Sequence, residues 1–205
     1  MDSERSDAPA PFLALKILVA GGFGVGKTTF VGTVSEIRPL NTEELLTEAG
    51  RVDDSLDEVT DKRTTTVALD FGRITFGDDL ALYLFGTPGQ DRFWFLWDEL
   101  ATGALGAVVL ADTRRLRDSF PAVDYFERHR LPFVVAVNCF NGVRDYSAGE
   151  VAAALDLDEE TPVVLCDARD RESGKEVLVT LIELAGEAAT TPATTEPRCD
   201  VGTPR

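Results

Sequence analysis

The chain of 205 residues carries 36 acidic and 20 basic side chains, which gives a formal net charge of −16. Such a length accommodates one domain with a full hydrophobic core and is short for two. The negative charge repels nucleic acid and anionic lipid, which excludes both as broad electrostatic partners. Any phosphate group must therefore be held by a local device.

Targeting and anchoring signals are not evident in the sequence. No apolar run is long enough to cross a bilayer, and the first residues, MDSERSDAPAP, lack the basic and apolar stretches of a secretory signal. Cys199 has six residues after it, so the C-a-a-X anchor is missing, and the three cysteines fit neither a disulfide framework nor a C-x-x-C site. We therefore predict a cytoplasmic protein with reduced thiols, no direct membrane anchor and no nucleic-acid partner.

The folded domain is predicted over 12–188, between tails at 1–11 and 189–205 whose Pro, Thr and charge content predicts disorder. Short runs rich in Val, Leu, Ile and Phe predict six strands, at 14–20, 66–76, 80–86, 105–111, 132–138 and 162–166. Helical spacing lies between most of them, at 27–37, 119–130, 147–155 and 172–188. Alternating strands and helices predict a mostly parallel sheet with helices on both faces.

The first predicted strand runs straight into residues 21–29, GGFGVGKTT, which match the phosphate-binding pattern G-x-x-x-x-G-K-[ST]. Glycines let backbone N–H groups turn toward phosphate oxygens, and the helix that begins at Lys27 adds the positive end of its dipole. Lys27 is expected to reach the terminal phosphates and Thr28 to place its hydroxyl on Mg²⁺. The predicted nucleotide contacts of this loop are Gly21, Phe23, Gly24, Val25, Gly26, Lys27, Thr28 and Thr29.

The next segment breaks the alternation of strands and helices. Residues 38–65 carry no convincing strand, and the part between 41 and 61 is strongly acidic, which predicts a mobile connection. The runs at 66–76 and 80–86 are separated by a three-residue turn, GDD, which suits a β-hairpin. These two strands are therefore predicted to be antiparallel neighbours in the sheet.

Four further segments resemble the motifs of Ras-like small GTPases. Residues 85–90, FGTPGQ, resemble the D-x-x-G-Q element of switch II, and residues 65–71, TTVALDF, look like the T-I-G-x-D-F of switch I in the Rab and Arf branches. Residues 137–141, VNCFN, occupy the place of the N-K-x-D motif, and residues 166–169, CDAR, follow the last strand where the family has S-A-K. The resemblance covers residues 13–188. It is strongest to the bacterial MglA-like branch, and especially to the actinobacterial conservon GTPases.

The resemblance implies a P-loop NTPase with a Ras-like, six-stranded, mostly parallel sheet that contains one antiparallel hairpin. It implies that Thr66 closes over Mg²⁺ and the γ-phosphate, so that Thr28 and Thr66 are the metal ligands, and that Gln90 orients the attacking water. Gly89 is then a backbone contact of the γ-phosphate, and Asn138, Asn141 and Ala168 read guanine. The implied function is a signalling switch that binds GTP and GDP, hydrolyses GTP slowly with Mg²⁺, and works with a roadblock-domain regulator and a sensor-kinase-like receptor.

Three positions depart from the pattern of the family. Gly86 stands where most Ras-like proteins have the Asp that holds a Mg²⁺-bound water, which predicts weaker metal binding; MglA-like proteins share this departure. Phe23 replaces a glycine beside the γ-phosphate, where its ring either crowds an incoming arginine finger or folds back on the loop. Asn141 replaces the Asp that accepts two N–H bonds from guanine, and Cys139 replaces a Lys, so selectivity for guanine is expected to weaken. A P-loop ATPase and a pseudo-GTPase without turnover are the alternative functions.

The segment after Gln90 is unusually aromatic for a switch II helix. A buried stripe is predicted from the i, i+3, i+4, i+7 spacing of Phe93, Leu96, Trp97 and Leu100. Trp94 and Phe95 fall on other faces, where they form either a partner site or additional core. Arg63 and Arg92 are the candidates for an arginine finger within the chain.

Overall fold

The computed structural model describes residues 12–38, 40–47, 64–77, 79–88 and 95–190, with the backbone alone at 40–47, 64–68 and 95. One seven-stranded sheet forms the centre, in the spatial order β2-β3-β4-β1-β5-β6-β7. Strands β4, β1, β5, β6 and β7 run parallel, whereas β3 is antiparallel to both β2 and β4. The strand bounds are β1 Leu13–Gly21, β2 Leu40–Thr47, β3 Thr64–Phe76, β4 Leu80–Gly86, β5 Ala104–Ala111, β6 Phe133–Asn138 and β7 Val163–Cys166.

Within the described residues, five α-helices cover the two faces of the sheet: α1 Lys27–Val34, α2 Phe95–Ala101, α3 Phe120–His129, α4 Ala148–Ala154 and α5 Arg171–Thr190. Two short 3-10 helices, Thr113–Ser119 and Phe140–Gly142, lie in loops after β5 and β6. A capping box starts α4, because the Ser147 hydroxyl accepts from the Glu150 N–H while the Glu150 carboxylate accepts from the Ser147 N–H. Each helix boundary of α1, α3, α4 and α5 lies within three residues of its sequence prediction.

The hydrophobic core has two halves because side chains of a strand alternate between the faces of the sheet. Ile17 and Val19 of β1 pack with α1 and α5, whereas Leu18 and Ala20 pack with α2, α3 and α4. All four are fully buried. Burial on both faces is what a parallel sheet covered by helices requires.

The fold class predicted from the sequence is confirmed, and so is the antiparallel hairpin formed by β3 and β4. The strand count is corrected from six to seven, because Leu40–Thr47 forms β2 in a stretch for which no strand was predicted. This strand, LNTEELLT, lies at the edge of the sheet and pairs with β3 alone. An edge strand tolerates polar residues that a central strand does not, so its sequence lacks the apolar run used to find the others.

Of the predicted stripe, Trp97 and Leu100 lie in or against the core as predicted, Leu96 is partly buried, and Phe93 lies outside the described residues. Trp97 is buried and stacks on Phe126 with ring centroids 5.7 Å apart, while Tyr125 meets it edge-on at 5.1 Å. Leu100 packs against the same cluster. In the part of the chain that the structure describes, no helix is both long enough and apolar enough to span a membrane.

Candidate nucleotide-binding site

The carboxyl ends of the parallel strands meet at one edge of the sheet, and the predicted site residues gather there. Gly21 ends β1, Gly86 ends β4, Asn138 ends β6 and Cys166 ends β7. Ligands of open α/β sheets bind outside this edge. The topology therefore brings the phosphate loop and both predicted base motifs to one crevice.

The phosphate loop needs glycine at two positions for reasons that the structure makes explicit. Gly21 has φ 132° and Gly26 has φ 110°, a region that L side chains rarely adopt. A Cβ on Gly21 would collide with the carbonyl oxygen of Leu110, and a Cβ on Gly26 would lie 2.7 Å from Nδ2 of Asn138. The loop is thus packed against the ends of β5 and β6. Of the remaining predicted contacts, Val25 is buried, whereas Gly24 and Thr29 are exposed.

Lys27 folds back over the loop that precedes it. Its Nζ donates to the carbonyl oxygens of Gly21 and Gly22, both at 2.8 Å. Burial lowers the pKa of the Lys27 ammonium to about 8, although the nearby charge of Asp70 opposes this effect. The ammonium is therefore poorly solvated and lies where an anion would stabilise it.

Asp70 is a site residue to which the sequence analysis gave no role. The Thr28 hydroxyl donates to Oδ2 of Asp70 over 2.7 Å, which joins the first turn of α1 to β3. In the ladder between β3 and β4, Asp70 lies directly opposite Gly86. A Cβ on Gly86 would lie 2.9 Å from Cβ and 3.0 Å from Oδ2 of Asp70. The side chain of Asp70 thus fills the space beside the residue at which Ras-like proteins have their carboxylate.

The oxygen donors at this point fit Mg²⁺. Mg²⁺ is bound in nucleotide sites by one or two hard oxygen ligands of the protein together with phosphate oxygens and water. Thr28 Oγ1 and Asp70 Oδ2 are such a pair, in hydrogen-bond contact and next to the lysine of the phosphate loop. Among the described residues, no group of three or more His, Cys, Asp and Glu side chains could hold a metal by itself. A cation here would depend on oxygens of the nucleotide.

Phe23 points away from the core of the loop. Its side chain is 69% exposed, so the alternative in which the ring folds back on the hydrophobic face of the loop is not the conformation seen. Its carbonyl oxygen accepts from Nη2 of Arg115 over 3.2 Å. The same guanidinium lies 3.7 Å from the buried carboxylate of Asp112, which caps the following 3-10 helix by accepting from the Arg114 N–H. Arg115 thus connects the phosphate loop to the turn after β5.

Asn138 links the base end of the site to the phosphate loop. Its Nδ2 donates to the carbonyl oxygen of Val25 over 2.9 Å, and its Oδ1 accepts from the Ala168 N–H over 3.1 Å. All three residues are buried. The Ala168 N–H, predicted to face the carbonyl oxygen of guanine, therefore already donates to Asn138 and would have to be shared with a base.

Asn141, Asp167 and Arg169 form one polar group at the surface beside Asn138. Arg169 donates from Nη1 to Oδ1 of Asn141 over 3.3 Å, and from Nε and Nη2 to the two oxygens of Asp167 over 3.0 and 2.9 Å. Asn141 has φ 57°, a left-handed conformation that Asn tolerates better than most residues. These hydrogen bonds hold the pKa of the Asp167 carboxyl below its ordinary value. Cys139, in contrast, is buried beneath the loop rather than exposed beside it.

Several predicted site residues lie outside the described part of the chain. Gly89, Gln90, Trp94, Arg63 and Arg92 are among them, and for Phe95 only the backbone at the start of α2 is described. Thr66 lies within β3 opposite Leu45, four residues before Asp70, which is roughly 13 Å along a strand. Its side chain is not described. The roles assigned to Thr66, Gly89 and Gln90 therefore stay predictions.

Comparisons with known proteins agree with this geometry. The chain superposes on the G domain of the FeoB iron transporter of T. maritima with a TM-score of 0.57 and 18% identity, covering 84% of this chain and 99% of that one. Its match to the whole cytosolic domain of FeoB in apo form has a TM-score of 0.61 and 17% identity, covering 84% of this chain and 64% of the domain. The fold and the phosphate loop together define a nucleotide-binding P-loop protein with a GTPase-like fold.

The particular family follows from the sequence comparisons. Residues 19–188 match the family described as conserved hypothetical ATP binding protein, and the chain belongs to that family. An uncharacterised protein of Methanocaldococcus jannaschii is 27% identical over 126 residues, which cover 60% of this chain and 69% of that protein. The chain thus belongs to a family described as ATP binding and has the fold of a G domain.

Proposed function

We propose that this protein is a switch that binds guanine nucleotides and hydrolyses GTP slowly with Mg²⁺. The observation that carries the proposal is the contact of Thr28 with Asp70 beside the phosphate loop and Lys27. It supplies two oxygen donors for a cation at the point where the terminal phosphates of a nucleotide lie in P-loop proteins. The hairpin of β3 and β4, which leads into the glycine and glutamine at 89–90, supports a GTPase over other P-loop enzymes.

Each residue of the phosphate end has a separate part in the proposal. Lys27 exchanges its two carbonyl partners for phosphate oxygens, and the backbone N–H groups of the loop bind the remaining phosphate oxygens. Thr28 and Asp70 hold Mg²⁺, directly or through bound water. The cation neutralises charge that develops on the phosphates during transfer. Gln90 orients the attacking water by analogy with its family counterpart, and Thr66 and Gly89 move inward with the triphosphate.

Hydrolysis of ATP is the second candidate function. The description of the family as ATP binding favours it, and so does Asn141 in place of the carboxylate that reads guanine. A pseudo-GTPase that binds nucleotide without turnover is distinguished from both by kinetics. We expect intrinsic GTP hydrolysis on the order of 10⁻³ per second or below, because the ring of Phe23 crowds the space beside the γ-phosphate through which an arginine finger would enter.

The test measures binding and turnover on the full chain after nucleotide has been removed with a chelator. GTP and ATP compete for binding with and without Mg²⁺, and phosphate release is followed for both, with Gln90→Leu as the control for turnover. Preference for GTP together with slow release that Gln90→Leu abolishes supports the proposal. Tighter binding of ATP would establish the ATPase, and binding without release in wild type would establish the pseudo-GTPase.

A protein partner at the switch is also part of the proposal. The resemblance to MglA-like GTPases supports a roadblock-type regulator or a receptor, and aromatic residues are enriched at the energetic centres of interfaces. Trp94 and Phe95 flank the start of α2, next to the segment expected to respond to the triphosphate. A pull-down with Trp94→Ala in both nucleotide states tests this. Unchanged capture by the folded variant would place the interface elsewhere.

A further inference from the structure

We propose that Asp167, together with Asn141, reads the guanine base, with Arg169 as the residue that positions both. Asp167 then supplies the carboxylate that Asn141 lacks. The inference rests on the proposed function, since it specifies how the same site selects its nucleotide. In this arrangement guanine donates to one oxygen from each of two loops rather than to the two oxygens of a single carboxylate.

The sheet brings the two loops together. Asn138, the last residue of β6, pairs with Cys166, the last residue of β7, and the Cys139 N–H donates to the Cys166 carbonyl oxygen over 2.7 Å. The chain therefore leaves both strands at the same level and on adjacent paths. Asp167 follows directly, and Asn141 lies one turn beyond Asn138. Neither loop can shift far, because Asn138 bonds to Ala168 and to the phosphate loop.

Arg169 fixes the orientation of both acceptors. A guanidinium only donates, so its Nη1 contact requires that the carbonyl oxygen of the Asn141 amide, rather than its NH₂, face Arg169. The adjacent Nη2 donates to Oδ2 of Asp167. The two oxygens are thus held by neighbouring nitrogens of one planar group. The Asn141 amide is thus turned so that its oxygen, rather than its NH₂, lies beside the Asp167 carboxylate.

The hydrogen-bond capacity of these oxygens leaves room for a ligand. Oδ1 of Asp167 accepts from both the backbone N–H and Nε of Arg169, which occupies its two lone pairs. Oδ2 accepts from Nη2, and Oδ1 of Asn141 accepts from Nη1, so within the described residues each retains one acceptor position. The Asp167 side chain is 32% exposed and can reach a ligand.

Guanine suits this pair and adenine does not. Guanine presents two adjacent donors, its ring N1–H and its 2-amino group, to two acceptor oxygens. Adenine presents a ring nitrogen acceptor and a C–H at the same edge, so neither oxygen gains a donor at its remaining acceptor position, and the ring nitrogen turns a lone pair toward them. An acceptor position that loses water without gaining a donor disfavours the wrong base, and more so when the acceptor is charged.

The experiment compares GTP, ATP and xanthosine triphosphate in competition binding to the full chain, in wild type and Asp167→Asn. Xanthine has a carbonyl oxygen where guanine has its 2-amino group, so an amide at 167 can donate to it. We expect the ratio of GTP to xanthosine triphosphate affinity to fall about tenfold to a hundredfold. Asp145→Asn removes the same charge from an exposed side chain and serves as the matched control. Loss of folding would lower the affinity for all three nucleotides alike and leave their ratios unchanged.

Arg169→Lys provides a second, independent variant. A lysine keeps the charge but cannot hold two oxygens with one planar group, so the ratio of GTP to ATP affinity should fall several-fold while triphosphate binding persists. Ratios within twofold of wild type in both Asp167→Asn and Arg169→Lys, with GTP still preferred, would overturn the inference and leave the proposed function intact. Equal binding of ATP and GTP by wild type would overturn both.

Discussion

Both the phosphate end and the base end of the site lack a carboxylate that the Ras-like motifs have, and at each end a carboxylate from a neighbouring segment lies close by. The two ends differ in what fixes the position of that second carboxylate. At the phosphate end, Gly86 lacks a carboxylate and Asp70 occupies the neighbouring space from the next strand. At the base end, Asn141 lacks a carboxylate and Asp167 lies close by on the next loop. The first replacement is fixed by the register of a β-ladder, whereas the second depends on one exposed arginine. We therefore expect the phosphate end to tolerate less change than the base end.

The largest effect is expected from Lys27→Ala, which should abolish triphosphate binding because the ammonium is the cation at the loop. Thr28→Ala should instead retain nucleotide and lose most of the Mg²⁺ dependence, because its hydroxyl contacts Asp70 and the two oxygens are the proposed ligands of the cation. Titration of a fluorescent GTP analogue with and without Mg²⁺ measures both. Lys175→Ala removes a partly buried lysine that pairs with Glu172 on α5, away from the phosphate loop, and serves as the control. Equal affinity in wild type and Lys27→Ala would refute the phosphate loop as the binding site.

Loss of the negative charge of Asp70 should produce the next largest effect. Asp70→Asn is expected to raise the Mg²⁺ concentration for half-maximal GTP binding roughly tenfold or more, since a charged oxygen ligand becomes neutral. Asp79→Asn, on the same hairpin and exposed, is the charge-matched control.

The double variant Asp70→Gly with Gly86→Asp makes this test specific. Gly86→Asp alone should destabilise the fold by about 1–3 kcal/mol, because its Cβ meets Asp70 at 2.9 Å. With Asp70 removed, the new side chain has space, so both stability and Mg²⁺ dependence should recover toward wild type. Thermal unfolding and Mg²⁺ titration measure the two. A double variant worse than either single variant would show that the two positions do not share one site.

A pH dependence of moderate size should come from Lys27. Burial holds its pKa at about 8, and bound phosphates would raise it, so above pH 8 the nucleotide should bind with uptake of a proton. Affinity should therefore fall as the pH rises beyond 8, by at most about tenfold per pH unit. Calorimetry at pH 8.5 in buffers of different ionisation enthalpy counts the protons. Release of protons, or no exchange, would contradict this assignment.

The same pKa affects stability with the opposite sign. A lysine whose pKa is lowered on folding binds more protons when the chain is unfolded, between about pH 8 and the ordinary lysine value near 10.5. The free energy of unfolding of the nucleotide-free protein should therefore gain from this residue as the pH rises through that window. Lys27→Met removes this contribution, so its free energy of unfolding should lack this rise when it is measured over the same pH range.

The smallest effect is expected from Asn141→Asp. A carboxylate there restores the motif of the family and should sharpen the preference for GTP over ATP several-fold in competition titrations. The gain is small because Asp167 already supplies a charged acceptor beside it and the two carboxylates would share Arg169. If wild type binds ATP more tightly and the variant does not reverse the order, residues 138–141 do not read guanine.

The sequence was sufficient wherever local chemistry determines structure. The phosphate loop is one such case, because its glycines and Lys27 act through backbone geometry encoded in a single segment. The hairpin turn at 77–79 was also recognised, and a tight turn there pairs position 70 with position 86. The register therefore places Asp70 opposite Gly86, the position that lacks the carboxylate of Ras-like proteins. Asp70 could have been proposed as a site residue from the sequence on that basis.

The remaining features depend on contacts between distant segments. Strand β2 is polar and acquires its structure from pairing with β3, so its composition resembled that of a loop. The base end is formed by loops after β6 and β7, and only the fold shows that Arg169 reaches Asn141 and Asp167 together. One indication of this arrangement was present in the sequence: Asp167 carries a carboxylate, whereas the carboxylate of the base motif is replaced by an amide at Asn141.

The close approach of Gly86 and Asp70 also limits the order in which substitutions could have accumulated during evolution. A carboxylate added at 86 before Asp70 is lost meets a side chain that already fills the space. Loss of Asp70 first leaves the Thr28 hydroxyl without this partner in the described structure and would leave the proposed cation with one fewer oxygen ligand. Both single steps thus pass through an impaired protein. A lineage that has its carboxylate at position 70 on β3 therefore cannot easily move it to position 86 on β4. Gly86 is then explained by the order of substitutions as well as by the lack of space for a side chain.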